Sequence, residues 1–283
     1  METFKIALSA GHGKNTAGKR CMKSIDPKQT REWVLNARIA EKVEDLLLDY
    51  TGWELLRMDD RTGTKDIALK TRSNSANNWG ADFYLAIHHN AGINGGKGGG
   101  IVVYVYTDPS ADELKWQKDL YNALIEETGL KGNRSAPLLK ANFHECREPK
   151  MTAVLLELGF MDSTTDVPII LSEKYADQCA AAIVDVIVKR GKLKKKTSST
   201  SKVEIKVDPA MGFTEAKAGT YMVKSHDGIL NLRSGADRDK TLIEVMENGS
   251  CVMCYGYFTG EWLLVISESG RKGFCNSKYL VKK

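Results

Sequence analysis

The chain opens on a short apolar run, Phe4-Lys5-Ile6-Ala7-Leu8, that breaks at Ser9-Ala10-Gly11-His12-Gly13. An apolar run closed by glycines predicts a buried strand ending in a turn. From about Thr30 to Leu48 the period changes, and Val34, Ile39, Val43, Leu46 and Leu47 approximate one stripe of a helix that would pack on the sheet. Trp53 to Met58 reads as a second strand, about Asp66 to Trp79 as a helix, and Phe83 to Ile87 as a third strand. Next come a strand Ile101 to Tyr106 and a helix from about Ala111 to Thr128, with Leu114, Leu120, Leu124 and Ile125 on its apolar side. A strand Thr152 to Leu158 and a helix Glu173 to Lys189 complete this part. Strands alternating with helices predict an α/β unit: a twisted, mostly parallel sheet with flanking helices.

Past residue 190 the pattern changes. Lys192-Leu193-Lys194-Lys195-Lys196 runs into Thr197-Ser198-Ser199-Thr200-Ser201, the composition of a solvated linker. From Gly219 onward, short β segments separated by Gly, Asn and Asp turns predict a small all-β barrel. The expected organisation is a first domain over 1–190, a linker over 191–218 and a second domain over 219–283. The glycine-rich stretch Gly92 to Gly100 follows a strand but runs into another strand, and it lacks a Gly-Lys-Ser or Gly-Lys-Thr ending. It reads as a flexible connection, not a phosphate loop.

Composition narrows the class. With 283 residues and 42% hydrophobic content the chain can bury real cores. No run approaches the roughly 20 apolar residues that span a bilayer, and Met1-Glu2-Thr3-Phe4-Lys5 lacks the features of a secretion signal. Synthesis in the cytoplasm, with neither membrane insertion nor export by that route, is the expectation. Six cysteines lie scattered and read as free thiols, and Cys251-Val252-Met253-Cys254, a lone pair in a strand-like run, reads as strand. Much of the lysine excess behind the net charge of +5 sits in the linker, so nucleic acid is not an expected partner of the protein, and binding of anionic wall polymers or nucleic acid is the sharper alternative for that basic run alone.

The candidate chemistry lies at strand ends. His12 alone is an ordinary loop histidine, but Phe83 to Ile87 also ends in His88-His89-Asn90, and Glu157 sits inside the greasy strand Ala153 to Phe160. Glu32 opens the first predicted helix, where an acid can simply complement the helix dipole. Two imidazoles and two carboxylates at element ends are the makings of a zinc site. His144 lies in an irregular stretch and reads as a surface or substrate-side residue.

In order along the chain come Gly11-His12-Gly13, Glu32 with Asn36 four residues on, and a loose run of Arg61-Thr62, Leu69, Arg72, Ala76-Asn77 and Ala81-Asp82. Ala86-Ile87-His88-His89-Asn90-Ala91 and Val154-Leu155-Leu156-Glu157-Leu158-Gly159-Phe160 follow. Residues 1 to about 190 thereby resemble the zinc-dependent N-acetylmuramoyl-L-alanine amidases of the amidase-3 type, a family that degrades cell walls. The resemblance implies a Zn²⁺ cofactor on His12, Glu32 and His88, Glu157 as catalytic acid/base, and bacterial peptidoglycan as substrate. His89 departs from the small residue usual in the family. Neighbouring side chains along a strand point to opposite faces, so one of the two histidines should reach a metal, and His88 is the choice. His89 and Asn90 are then expected on the substrate side. Leu230-Asn231-Leu232-Arg233-Ser234-Gly235, Gly249, Trp262 and Tyr279-Leu280 resemble a bacterial Src-homology-3-type domain, implying a cell-wall ligand for the second domain. The combination suggests a phage endolysin. A host or prophage autolysin, a zinc peptidase of the stem peptide and a non-catalytic wall-binding protein are the alternatives.

Overall fold

The computed structural model describes residues 3–196 and 211–283. The chain divides into two compact units, Met1–Lys196 and Thr197–Lys283.

In the first unit the strands are β1 (Phe4–Ala10), β2 (Tyr50–Thr51), β3 (Trp53–Arg57), β4 (Phe83–Asn90), β5 (Ile101–Val105), β6 (Leu138–Lys140), β7 (Thr152–Phe160) and β8 (Lys194–Lys195). The helices are α1 (Glu32–Leu47), α2 (Leu69–Trp79), α3 (Ala111–Thr128), α4 (His144–Arg147), α5 (Val167–Ile170) and α6 (Glu173–Arg190). Six strands form the central sheet in the order β3-β1-β4-β7-β5-β6. All neighbours run parallel except β5, which is antiparallel to β7.

Side-chain alternation along these strands creates two unlike faces. Ile6, Leu8, Phe83, Leu85, Ile87, Val154, Leu156 and Leu158 enter the large core that includes residues of α1, α3 and α6. The intervening positions, Ala7, Tyr84, Ala86, Ala153 and Leu155, belong to a smaller core with Ala76 of α2 and Cys146 of α4. His88 and Glu157 fall in the alternation of this second face. His89 falls in that of the first.

Helix α1 buries part of the expected stripe, at Ile39, Val43 and Leu47, and widens it with alanines. Trp33, Ala37, Ala40, Val43 and Leu47 are buried, whereas Val34 and Leu46 are 37% and 38% exposed. Small residues allow the close approach, so alanines hold core positions that hydrophobicity alone assigns to valine and leucine. On α3 the expected Leu120 and Leu124 are buried together with Trp116, whereas Leu114 is 40% exposed. Its start is fixed by a capping box between Ser110 and Glu113.

The glycine run is anchored throughout its second half. Gly98, Gly99 and Gly100 have φ of +93°, +114° and +82°, and their amides donate to Thr165, Asn133 and Asp166. A Cβ on Gly100 would lie 2.5 Å from the Lys131 carbonyl oxygen. Glycine is required here by backbone conformation and close contact, which corrects the expectation of a flexible connection.

The described ends of the expected linker, 191–218, carry structure. Leu193 is buried and the Lys194–Lys195 strand pairs with β2, while the next described strand already begins at Gly212. The Ser/Thr tract Thr197 to Ser201 lies outside the described residues. The second unit holds β9 (Gly212–Val223), β10 (Ile229–Arg233), β11 (Leu242–Glu247), β12 (Cys251–Thr259), β13 (Trp262–Ser267), β14 (Lys272–Asn276) and β15 (Leu280–Lys282). They form one antiparallel sheet in the order β11-β10-β14-β13-β12-β9-β15, around a core that includes Val223, Leu232, Val252, Leu263 and Val265. Cys251 and Cys254 are free and lie in β12. No helix among the described residues is long and apolar enough to cross a membrane.

Candidate active site

Strand β1 delivers the first functional side chain through a tight turn. His12 has φ of +66°, a left-handed conformation uncommon outside glycine, and the surrounding structure must hold it there. Arg72 of α2, 1% exposed, does much of this: its guanidinium donates to the Ala10 carbonyl at 2.7 Å and the His12 carbonyl at 3.1 Å. From the other side Asn36 of α1 donates to the Gly11 carbonyl at 3.1 Å. The arginine and asparagine of the sequence pattern are therefore braces of the histidine loop.

His12, Glu32 and His88 converge, each offering one ligand atom within 4.8 Å of the others. Glu32 Oε1 lies 3.0 Å from His88 Nδ1 and 3.4 Å from His12 Nε2. Glu32 is 1% exposed at the start of α1, far more enclosed than an acid that only complements a helix dipole. Burial pushes its carboxyl up, but the two imidazoles beside it outweigh burial and hold it well below the usual carboxylate range. Gly11 packs closely against the His88 ring, and a Cβ there would come within 2.1 Å of Cε1.

Glu157 enters from β7, directly opposite His88 on β4. Burial pushes its carboxyl up to about 7, with the His88 charge opposing the shift and the Glu32 charge adding to it. Its Oε2 is shut off from solvent without a hydrogen-bond partner, and so are His12 Nε2 and Glu32 Oε2. Three orphaned polar atoms around one cluster fit the binding of a cation or another polar group.

His89 and Asn90 do not join this group. His89 is 2% exposed, and its Nδ1 donates to Asn36 Oδ1 at 2.8 Å on the α1 side of the sheet. Burial pushes its imidazole down to about 3, with the Arg38 and His88 charges adding to that against Glu32. It is a neutral interior brace, which corrects its expected place on the substrate side. The Asn90 side chain accepts from the Ala91 amide and lies outside the cleft lining.

The cluster opens into a cleft of about 270 Å³. Leu69, Phe143 and Leu155 supply apolar wall, Lys19 supplies a cation and His144 an imidazole. His144 is hydrogen-bonded through Nε2 to Ser73 Oγ at 3.1 Å. Its neighbour Glu145 is a residue that sequence reasoning missed. Glu145 is 3% exposed and accepts from His88 Nε2 at 3.1 Å and from Ser9 Oγ and Tyr84 Oη at 2.7 Å each. A helix of four residues carries no periodicity, so nothing in the local pattern marks Glu145 as interior.

The donor set of two imidazoles and a carboxylate suits a divalent metal of the zinc type, leaving room for a non-protein fourth ligand. A carboxyl poised near neutrality beside it suits proton transfer. Together they can perform metal-assisted hydrolysis.

Comparison with known proteins points to amide hydrolysis. The family described as Amidase_3, N-acetylmuramoyl-L-alanine amidase, matches residues 6–189. The sporulation-specific N-acetylmuramoyl-L-alanine amidase of Bacillus subtilis (strain 168) is 30% identical over 233 residues, covering 81% of this chain and 85% of that protein. The endolysin of Bacillus phage SPP1 is 28% identical over 234 residues, covering 82% of this chain and 81% of that protein. Among solved structures, an N-acetylmuramoyl-L-alanine amidase from Clostridium difficile 630 aligns with a TM-score of 0.59 at 27% identity, covering 67% of this chain and 97% of that one.

Proposed function

The chain belongs to the N-acetylmuramoyl-L-alanine amidase family, and on that premise we propose a zinc-dependent peptidoglycan hydrolase that cuts the amide between the lactyl group of N-acetylmuramic acid and L-alanine. The observation that carries the reading is the meeting of His12, Glu32 and His88 beside a cleft that His12, His88 and Glu157 line together. His12 Nε2, Glu32 Oε1 and His88 Nδ1 are the atoms that would hold the ion. Bound there, zinc supplies Lewis-acid polarisation of the scissile carbonyl and lowers the pKa of water from about 15.7 towards roughly 7.

The protein's own residues do the rest. Glu157, ionised in part near pH 7, takes a proton from the attacking water on one carboxylate oxygen. It then gives that proton to the departing L-alanine nitrogen, so the peptide leaves as a neutral amine. The apolar wall of Leu69, Phe143 and Leu155 limits water around the reacting atoms, and Lys19 offers a cation at the rim.

Lysis in the manner of an endolysin is the biological role we favour, supported by the match to the phage SPP1 protein over four-fifths of both chains. Such a role has the protein made in the cytoplasm and reaching the wall once the membrane is breached. The second unit would then be a small wall-binding barrel of the Src-homology-3 type. In support, its seven short antiparallel strands enclose one core, and a cleft of about 370 Å³ beside Trp262, Tyr279 and Arg233 offers aromatic and cationic contacts.

Purified wall digested by the protein tests the chemistry. Mass spectrometry should find peptides with a free L-alanine amino terminus and uncut glycan, and chelation should stop their release until zinc is restored. Cleavage inside the stem peptide, or activity indifferent to chelation, would overturn the assignment.

A further inference from the structure

We infer that Glu145 is a positioning residue for the metal site: its carboxylate fixes the His88 ring so that Nδ1 faces the metal and Nε2–H faces inward. The inference rests on His88 being a metal ligand. His88 is gripped at both ring nitrogens, with Nδ1 3.0 Å from Glu32 Oε1 and Nε2 3.1 Å from Glu145 Oε2. The two edges have different company. Nδ1 looks towards the cluster with His12, whereas Nε2 meets a carboxylate that is itself tied down.

That tying is unusually complete. Glu145 Oε1 accepts from both Ser9 Oγ and Tyr84 Oη at 2.7 Å, and Ser9 Oγ in turn accepts from Arg72 Nη1 at 2.8 Å. With one oxygen saturated, the other has a single described partner, the His88 ring. A metal-bound imidazole gains ligand strength and a fixed orientation when its second nitrogen donates to a carboxylate. Glu145 meets that requirement from α4, an element that contributes none of the proposed ligands. Arg72 also holds the Ala10 and His12 carbonyls, so one buried guanidinium supports both the His12 loop and the carboxylate behind His88. A buried ion pair with no part in metal binding would need neither this chain of donors nor a ring presenting its free edge to Glu32.

The test compares E145Q, E145D and E145L in the full chain, by zinc competition against a chelator and by the absorption spectrum of the cobalt-substituted protein. Gln can still accept from Nε2 with its oxygen and donate to the two hydroxyls, so E145Q should bind zinc within about threefold of the unmodified protein. Asp keeps the charge but falls short of the ring, so E145D and E145L should each lose ~10- to 100-fold in affinity and show a displaced cobalt spectrum. E145D and E145Q keep the question open to refutation should E145L not fold. Equal affinity in all three variants, or an E145D as tight as the unmodified protein beside a weak E145Q, overturns the inference. H88A separates the premise: undiminished zinc binding there rejects His88 as a ligand, whereas loss there with intact E145D and E145L rejects only the role of Glu145.

Discussion

His88 and Glu157 face each other across adjacent parallel strands, paired in register on β4 and β7. Neighbouring strands lie about 4.8 Å apart, so a proposed metal ligand and a proton carrier share one rung of the sheet. Glu157→Ala should therefore lower turnover by about 10² to 10⁴-fold or more while zinc stays bound. His12→Ala should lose metal and activity together. Rates of wall cleavage measured beside zinc stoichiometry check both, and a Glu157→Ala protein that still clears a wall suspension would remove Glu157 from its role.

Gly11 is as much a part of the candidate site as the proposed ligands. A methyl group there would overlap the His88 ring, so Gly11→Ala should push the imidazole out of position and cost about 1–3 kcal/mol of stability from overpacking. Zinc affinity should fall with it. Chemical unfolding and chelator competition provide the two readouts, and unchanged metal binding would show that the ring moves without consequence.

The metal-free protein should respond to pH through His88. Burial pushes its imidazole down, but hydrogen bonds to Glu145 and Glu32 outweigh burial and raise it from 6.5 to about 10. A raised value means that the pairing stabilises the fold fully below about pH 6.5 and ceases to do so as pH climbs through about 10. Melting temperature without metal should accordingly fall as pH rises from about 6.5 through about 10. Zinc must displace the same proton, so its apparent affinity should rise about tenfold per pH unit near neutrality. Calorimetric titrations in several buffers would count the released proton, and affinity independent of pH would contradict the prediction.

Arg72→Ala should be among the most damaging changes away from the ligands. It strips partners from the Ser9 hydroxyl and from the carbonyls of Ala10, His12 and Ile67, all served by one buried side chain. A loss of about 2–5 kcal/mol is expected. Arg72→Lys should rescue little, because an ammonium cannot span the same fork of acceptors. Denaturant unfolding of both variants settles the comparison.

The layered α/β plan and the residues of the candidate site other than Glu145 could be read from sequence for a physical reason. Long apolar runs with abrupt polar ends leave few alternatives, and His12, His88 and Glu157 sit at or within such runs. Alternation along β4 also separates His88 from His89 correctly, sending one to each face. Glu145 stayed hidden because its burial depends on contacts 57 and 136 residues away along the chain, at His88 and Ser9. The alanines of α1 were hidden differently: at close helix–sheet approach small size outranks hydrophobicity, and a hydrophobic stripe does not register size.

Gly98 to Gly100 leave a practical legacy. The Asp166 carboxylate that accepts from the Gly100 amide accepts from the Phe160 amide as well, and Phe160 closes the strand that carries Glu157. A stretch whose composition invites a tag or a grafted domain is thus a keystone, and an engineer seeking a tolerant insertion point in this protein should look elsewhere.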